Sequence, residues 1–311
     1  MQIREGKPTR EAYGQAVLEL AANDSNIYVV DCDIGKSCKT VPFSQQFPNQ
    51  HVNVGIAEQN ALGVGAGLAT TGKIPFVTTY AVFGSMRMLE QIRQEACYTK
   101  LNVKIACSHG GFTPANDGAS HQGIEDMGLF RCVPNMTIVA PADFDSALKL
   151  VKASAKYDGP VYLRFTRDAV PSIYNSDDEL EIGKANELNK GNDVCIICTG
   201  DILSKGVLAA QQLEKEGISV RLLDMHTIKP LDKDAVLKAI DETKGIVTVE
   251  DHNIINGLGS AVAEVVAETG GCKFKRIGIQ DQFGESAPYE HLLAKNGVSV
   301  ENIVKECKKM L

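Results

Sequence analysis

Short apolar runs alternate with amphipathic stretches along the first half of the chain. Residues 26–32 form the first apolar run, typical of a buried strand. The stretch before it, from Thr9 to about Ala22, carries apolar residues at helical spacing, with Thr9 as a candidate N-cap. Further strands are predicted at 51–54, 74–79, 102–108, 136–140 and 161–165, and further helices at 57–69, 86–98 and 144–155. Continuous apolar strands separated by helices predict a mainly parallel sheet that helices cover on both faces.

The alternation stops near residue 168 and restarts at residue 194. Between these points, Pro171 and the polar runs 175–179 and 190–193 carry turn signals without periodicity, which predicts a linker with some irregular strand. Beyond it we predict strands at 194–198, 220–224, 245–250 and 274–279, and helices at 203–216, 232–240, 258–268 and 301–310. The chain is therefore expected to form two α/β domains, residues 1–175 and 191–311, joined by a linker at 176–190.

The composition excludes several classes of protein. The chain has 311 residues, of which 44% are hydrophobic and 23% charged, as in ordinary globular domains. A formal net charge of -7, without a Lys/Arg cluster, argues against nucleic-acid binding. No apolar run reaches the length of about 18 residues that a membrane span needs, and the first ten residues lack a signal-peptide pattern. Nine scattered cysteines are typical of reduced thiols, so we expect a cytoplasmic protein without a membrane or nucleic-acid partner.

A glutamate opens the small-residue helix in the segment NVGIAEQN, residues 53–60. Glu58 in this position would stabilise any helix through the helix dipole. The next apolar strand runs into the segment PFVTTYAVF, residues 75–83, which ends with two aromatic residues, Tyr80 and Phe83. Either feature alone is more typical of ordinary folding than of a binding site.

A glycine-rich loop with two histidines and an aspartate follows the strand predicted at 102–108. Its sequence is SHGGFTPANDGASHQ, residues 108–122, and its polar members are His109, Asp117 and His121. Open α/β sheets bind ligands at the carboxyl ends of their strands, where this loop begins. The loop is therefore a candidate part of an active site.

Together these segments resemble the transketolase family, whose enzymes use thiamine diphosphate. GIAEQ resembles the family's glutamate motif, and DGASHQ at 117–122 is similar to the family pattern DGPTHQ. The similarity continues at 134–136, 140–143, 249–252, 257–261 and 281–284, and so covers essentially the whole chain. It implies a pyrimidine-binding α/β domain followed by a transketolase C-terminal α/β domain.

The resemblance also implies the residues that bind the cofactor. Glu58 matches the catalytic glutamate that contacts N1′ of the aminopyrimidine ring, a contact that promotes loss of the proton from C2 of the thiazolium. Tyr80 and Phe83 match aromatic residues that stack on the pyrimidine. Met86 stands where the family often has a third aromatic residue, and its thioether can pack on a ring. Asp33 matches an aspartate near the cofactor.

A second set of matches concerns the substrate. His121 matches a catalytic histidine near the reacting carbonyl and hydroxyl groups of the sugar, and Asp117 matches a residue that contacts a sugar hydroxyl. The family's phosphate-binding positions are matched by Arg10, Ser37, His109 and Arg167. Arginine suits this role because its planar fork pairs with two oxygens. His109 favours transketolase over deoxyxylulose-phosphate synthase, which usually has another residue there.

One element of full-length transketolases is missing from this sequence. The family binds the magnesium-diphosphate group through a GDG motif and a later asparagine, and no GDG tripeptide occurs here. Magnesium requires octahedral oxygen ligands, and we expect no metal ligand in this chain. The resemblance therefore implies a partner, an N-terminal subunit that carries GDG…N and binds Mg²⁺, in an α2β2 assembly.

The expected reaction is transfer of a two-carbon ketol unit from a ketose phosphate to an aldose phosphate. Three alternatives stay open: a 2-oxoacid dehydrogenase β subunit, a deoxyxylulose-phosphate synthase-like enzyme, and a non-catalytic scaffold subunit. The first two would use the same glutamate on an oxoacid, and the third would retain only the fold.

Overall fold

The computed structural model describes residues 3–311, which form two β-sheets flanked by α-helices. The strands of this part of the chain are β1 (Ile27–Asp31), β2 (His51–Asn53), β3 (Ile74–Tyr80), β4 (Lys104–Ser108), β5 (Thr137–Val139), β6 (Val161–Arg164), β7 (Asn186–Asn189), β8 (Val194–Cys198), β9 (Val220–Asp224), β10 (Thr227–Lys229), β11 (Gly245–Asn253) and β12 (Lys273–Ile279). The central strands are buried on both faces, as their apolar sequences require.

The α-helices flank these strands. In chain order they are α1 (Thr9–Ala21), α2 (Gly35–Cys38), α3 (Val41–Gln46), α4 (Glu58–Thr70), α5 (Ala81–Met86), α6 (Leu89–Gln91), α7 (Asp126–Arg131), α8 (Phe144–Lys156), α9 (Leu203–Lys215), α10 (Lys233–Glu242), α11 (Leu258–Thr269), α12 (Tyr289–Lys295) and α13 (Val300–Lys308). A π-helical stretch, Ile92–Tyr98, follows α6. No helix among residues 3–311 has the length and apolar character needed to cross a bilayer.

The strands form two sheets, one in each half of the chain. The first has the order β10-β5-β6-β4-β3-β1-β2 and is parallel except for β10. The second has the order β12-β11-β8-β9-β7 and is parallel except for β7. The predicted fold class, two domains with mainly parallel sheets flanked by helices, is confirmed. Within the segment predicted as a linker, β7 forms an edge strand of the second sheet.

The second half also completes the first sheet. β10 lies beyond residue 191 but pairs antiparallel with β5. One hydrophobic cluster crosses between the halves as well, since Phe112 and Ile124 pack in the same core as Ile196 and Val249. The two domains therefore share a core and a sheet instead of folding as separate bodies.

Two local predictions are wrong. Thr9 does not cap α1, because the N-cap is Pro8 and the Thr9 hydroxyl pairs with that of Thr166 at 3.1 Å. The single helix predicted at 86–98 is instead α5, α6 and the π-helical stretch. The π-helical turn has Ile92, Ala96 and Cys97 on its buried side.

Candidate active site

The predicted site residues gather at one edge of the first sheet. Tyr80 is the last residue of β3, and Glu58 and His109 come after the carboxyl ends of the parallel strands β2 and β4. β2 lies on one side of β1, and β3 and the strands after it lie on the other side, so the strand order reverses between β1 and β3. Open α/β sheets form a binding crevice at such a point. Arg10 reaches the same edge from α1, whose first residue, Thr9, is hydrogen-bonded to Thr166 beyond β6. The topology therefore brings distant segments together.

Glu58 lies at the first turn of α4, in a cleft that we call the Glu58 cleft. This cleft of about 520 Å³ is lined by residues 56–60, Met86 and Arg87. The Glu58 carboxylate is buried, and its Oε1 accepts a hydrogen bond from Nη1 of Arg87 at 2.8 Å. The guanidinium carbon of Arg87 lies 3.9 Å from the ring centroid of Phe83. A flat cation thus already stacks on an aromatic face while it donates to the buried carboxylate.

Tyr80 and His109 form the boundary between this cleft and a second group of side chains. Their ring centroids are 3.9 Å apart. Burial raises the pKa of Tyr80, and a hydrogen bond with Ser37 opposes this effect. Phe83 is 5.8 Å from Tyr80 and 5.6 Å from His121, measured between ring centroids. Phe83 is connected to the Glu58 cleft through Arg87, which stacks on its ring, whereas Tyr80 contacts the residues predicted to bind phosphate.

The predicted phosphate-binding residues lie together, and we call them, with Asp117, the basic cluster: Arg10, Ser37, His109, Asp117 and Arg167. Arg10 donates from Nη1 to the backbone oxygen of Ser37 at 2.9 Å, and its buried Nε has no hydrogen-bond partner. Arg167 Nε lies 3.5 Å from Oδ2 of Asp117. An unpaired guanidinium nitrogen beside a second arginine is a suitable site for an anion.

His109 is buried at the centre of the basic cluster. Its φ of 66° is in the left-handed region, an uncommon conformation for a residue other than glycine and one that is enriched at functional sites. Ser108 Oγ lies 2.7 Å from His109 Nδ1. Burial, followed by the positive charges of Arg10 and Arg167 and the nearby His121, lowers the pKa of His109 to about 3. The imidazole is therefore neutral near pH 7, and the two arginines supply the positive charge.

The remaining predicted residues, His121, Met86 and Asp33, are partly or largely exposed to solvent. His121 is partly exposed and close to the Phe83 ring, so it can reach both the Glu58 cleft and the basic cluster. Met86 is 49% exposed and lines the cleft. Asp33 is exposed, and the Asn53 side chain donates to its Oδ1 at 3.0 Å. The structure shows no contact between Asp33 and either group.

Residues of the second domain hold the 108–122 loop in place. The backbone N–H of Phe112 lies within 3.1 Å of both carboxylate oxygens of Asp251. A Cβ on Gly111 would come within 2.1 Å of this carboxylate, so only glycine permits the close approach. Gln122 donates to the backbone oxygen of Glu285 at 2.9 Å. Burial, and then the charge of Asp201, raises the pKa of Asp251.

Sequence reasoning missed two residues of this site, Arg87 and Asp251. Arg87, the C-cap residue of α5, is four positions after Phe83, a helical spacing that can place an arginine over an aromatic ring, and this signal was available. Asp251 lies 139 positions beyond Phe112, and no local pattern indicates the pairing. Among residues 3–311 no group of three His, Cys, Asp or Glu side chains could hold a metal ion.

Both halves of the chain match known protein families. Residues 5–172 match the family described as transketolase, pyrimidine binding domain. Residues 183–303 match the family described as transketolase, C-terminal domain.

Individual relatives are similar over nearly the whole chain. A solved structure described as "Split gene transketolase, inactive beta4 tetramer" is 44% identical, with a TM-score of 0.90 and coverage of 98% of either chain. An apulose-4-phosphate transketolase subunit of Phocaeicola vulgatus is 39% identical over 297 residues, 95% of each chain. The 6-deoxy-6-sulfo-D-fructose transketolase subunit of a Clostridium species (strain MSTE9) is 38% identical over 296 residues, 95% of this chain and 92% of the relative.

Proposed function

The chain belongs to the transketolase family, and from this premise we propose that it is the C-terminal subunit of a split transketolase. With an N-terminal partner it would transfer a two-carbon ketol unit from a ketose phosphate to an aldose phosphate. The observation that carries this proposal is the arrangement of the strand ends. A buried carboxylate and an aromatic ring both contact the guanidinium of Arg87, and a cluster of basic and polar side chains lies near them.

The Glu58 cleft fits the flat ring of thiamine diphosphate. Phe83 already carries a planar cation on its face, and the buried Glu58 already accepts a hydrogen bond from the edge of that cation. We propose that Glu58 holds and exchanges a proton with N1′ of the aminopyrimidine, and that Phe83 and Met86 pack on the ring. Tyr80 would complete the pocket, and Asp33 stays a predicted contact of the cofactor. When bound, the cofactor supplies the nucleophilic carbon and the electron sink of the reaction.

The basic cluster would bind the acidic group of the sugar. Arg10 and Arg167 supply charge and forked donors, Ser37 adds a hydroxyl, and neutral His109 can share a hydrogen bond or accept a proton once an anion is present. Two relatives are named for apulose-4-phosphate and for 6-deoxy-6-sulfo-D-fructose. Because phosphate and sulfonate are both tetrahedral anions, these names support an anion-binding role for the same positions.

His121 and Asp117 would act on the rest of the sugar. His121 lies between Phe83 and the basic cluster, so we propose that it binds the reacting carbonyl or hydroxyl groups and helps to move their protons. Asp117 would accept a hydrogen bond from a sugar hydroxyl while Arg167 holds it in place. The phosphate end and the reacting end would then be bound by different residues.

We further propose that a second polypeptide completes the site. The sequence contains no GDG tripeptide, and the described residues provide no metal-binding group for a magnesium-diphosphate. A partner with GDG and a later asparagine would bind Mg²⁺ and the diphosphate, in an α2β2 assembly. The solved β4 tetramer of a split-gene relative supports this proposal, because that assembly of β chains is described as inactive.

The test is reconstitution. The purified chain is assayed with a ketose phosphate donor and an aldose phosphate acceptor, alone and after mixing with the candidate N-terminal subunit, thiamine diphosphate and Mg²⁺. We expect no ketol transfer by either subunit alone and robust transfer by the mixture. Full activity of the chain without a partner would refute the split-site proposal.

The choice of donor separates the rival reactions. Turnover of pyruvate in place of the ketose phosphate would indicate a 2-oxoacid dehydrogenase or a deoxyxylulose-phosphate synthase. Absence of turnover by the mixture with every donor, together with stable association of the subunits, would favour the scaffold alternative.

A further inference from the structure

Arg87 has the outline of a flat nitrogen base inside the Glu58 cleft. Its Nη1 donates to Oε1 of Glu58 at 2.8 Å, and its guanidinium carbon lies 3.9 Å above the Phe83 ring. Planarity, N–H donation to a carboxylate and packing on an aromatic face are also the properties of a protonated aminopyrimidine. One carboxylate oxygen and one ring face cannot serve both groups in the same way at the same time.

We propose that Arg87 is a placeholder for the cofactor ring. In the free chain it fills the position where the aminopyrimidine binds, and it must leave before the ring can contact Glu58. This inference rests on the function proposed above and adds a residue that competes with the cofactor.

The position of Arg87 allows this movement. Its side chain is 48% exposed, whereas that of Glu58 is only 5% exposed. The arginine can therefore swing into solvent without any change of the backbone, while the glutamate stays in place. Arg87 is the C-cap residue that follows α5, where the regular helix is interrupted before α6. By contrast, the Arg164–Asp126 pair, with exposed fractions of 6% and 0%, is fixed inside the fold.

The pairing has a thermodynamic consequence. A buried carboxylate without a partner is unfavourable, so Arg87 stabilises the free chain before the partner and the cofactor arrive. The cofactor binds only the fraction of molecules in which the cleft is open, and its apparent affinity is reduced by that fraction. Removal of the guanidinium should therefore strengthen cofactor binding, the opposite of what a residue that holds the cofactor would show.

The first experiment measures binding rather than turnover. Thiamine diphosphate with Mg²⁺ is titrated calorimetrically into the complex of this chain with its N-terminal partner. Arg87→Met retains a long apolar side chain over Phe83, and Arg93→Met removes an equivalent exposed charge six positions away. We expect binding about 5-fold tighter for Arg87→Met, in line with a half-exposed ion pair and a cation–π contact, and no change for Arg93→Met.

Each outcome has a distinct meaning. Equal or weaker binding by Arg87→Met, with normal binding by the unsubstituted complex, would overturn the placeholder and leave the proposed function intact. If the unsubstituted complex and both variants all fail to bind thiamine diphosphate, the proposed function fails, and the placeholder fails with it.

A second measurement tests the contact in the chain alone. Thermal unfolding of Glu58→Gln, Arg87→Met and the double variant forms a double-mutant cycle. We expect coupling between the two positions, so that the double variant melts at a higher temperature than the sum of the single effects predicts. Additive effects would show that the pair does not form in solution and would also reject the placeholder.

Discussion

The basic cluster is built around one buried and anchored histidine, whereas the Glu58 cleft is open to solvent. His109 is buried, and the loop that carries it is held by Asp251 and by the backbone of Glu285 from the second domain. Around Glu58, in contrast, Ile56 is 75% exposed and Met86 49% exposed. The two regions are adjacent at Tyr80. Contacts within this chain hold the loop of His109, whereas the rim of the Glu58 cleft is exposed.

This difference indicates where the proposed second polypeptide would be needed. The loop that carries His109, proposed to bind a sugar phosphate, is held by contacts from both domains of this chain. The Glu58 cleft has exposed apolar residues on its rim, which a partner surface would cover. Arg87 provides a temporary partner for Glu58 in the meantime.

The largest effect is expected at the open region. In the reconstituted enzyme, Glu58→Gln should lower kcat by about 10²- to 10⁴-fold, because the amide cannot exchange the proton that a carboxylate exchanges. Steady-state kinetics measures the loss, and circular dichroism and subunit association serve as controls for folding. Near-normal turnover would show that Glu58 does not exchange a proton in the reaction. The Glu58 cleft would then not be the catalytic region that is contrasted with the basic cluster.

The next test concerns the support of the basic cluster. Asp251→Ala leaves the N–H of Phe112 without its buried acceptor, and should cost about 1–3 kcal/mol of unfolding free energy. Asp251→Asn is the matched control. Since the pKa of Asp251 is raised, an amide of the same shape should be tolerated far better. Chemical denaturation measures both, and equal stability of all three proteins would mean that this anchor does not hold the loop.

A more selective effect is expected at the surface of the basic cluster. Arg10→Ala should raise KM for a phosphorylated donor about 10- to 150-fold, the equivalent of a charged hydrogen bond, with a smaller change in kcat. Arg10→Lys retains the charge but not the forked donors, so its KM should lie between those of the unsubstituted enzyme and Arg10→Ala. An unphosphorylated ketose should show no comparable change, and an equal loss with both donors would exclude a phosphate-binding role.

The smallest effect is a change in acid stability. His109 has a pKa of about 3 in the fold, whereas an unfolded histidine titrates near 6.5. Below that value the unfolded chain takes up a proton that the folded chain does not bind, so stability falls as pH falls. Relative to His109→Asn, the unsubstituted chain should lose up to about 1.4 kcal/mol more per pH unit between about pH 6 and 4. Other buried groups titrate equally in both proteins, and parallel curves would indicate that His109 is protonated in the fold.

The strands of the two sheets could be predicted from the sequence because most of them are buried on both faces. β8 and β9 have the bounds that the apolar pattern predicts. β7 and β10 could not be predicted, since they are short strands at sheet edges, and their partners are chosen by tertiary packing. The π-helical stretch after α6 was missed for a related reason, because the periodicity of one segment does not reveal which core it must face.

The site could be predicted only as far as short segments define it. The positions of Glu58, His109 and His121 follow from motifs at strand ends, and the structure brings them to one edge of the sheet. Their roles remain predictions. The hydrogen bonds that Asp251 accepts from Phe112 and the contact between the Tyr80 and His109 rings depend on parts of the chain that are distant in sequence. Such contacts leave no periodic signal in the sequence.

β10 limits where this chain could be divided into two fragments. A break in the linker region would produce a first fragment whose sheet ends at β5, with the backbone N–H and C=O groups of residues 137–139 exposed. Unpaired edge strands of this kind readily associate with other chains. Reassociation of the two fragments would then require the second fragment to supply β10, residues 227–229, to the open edge of the first.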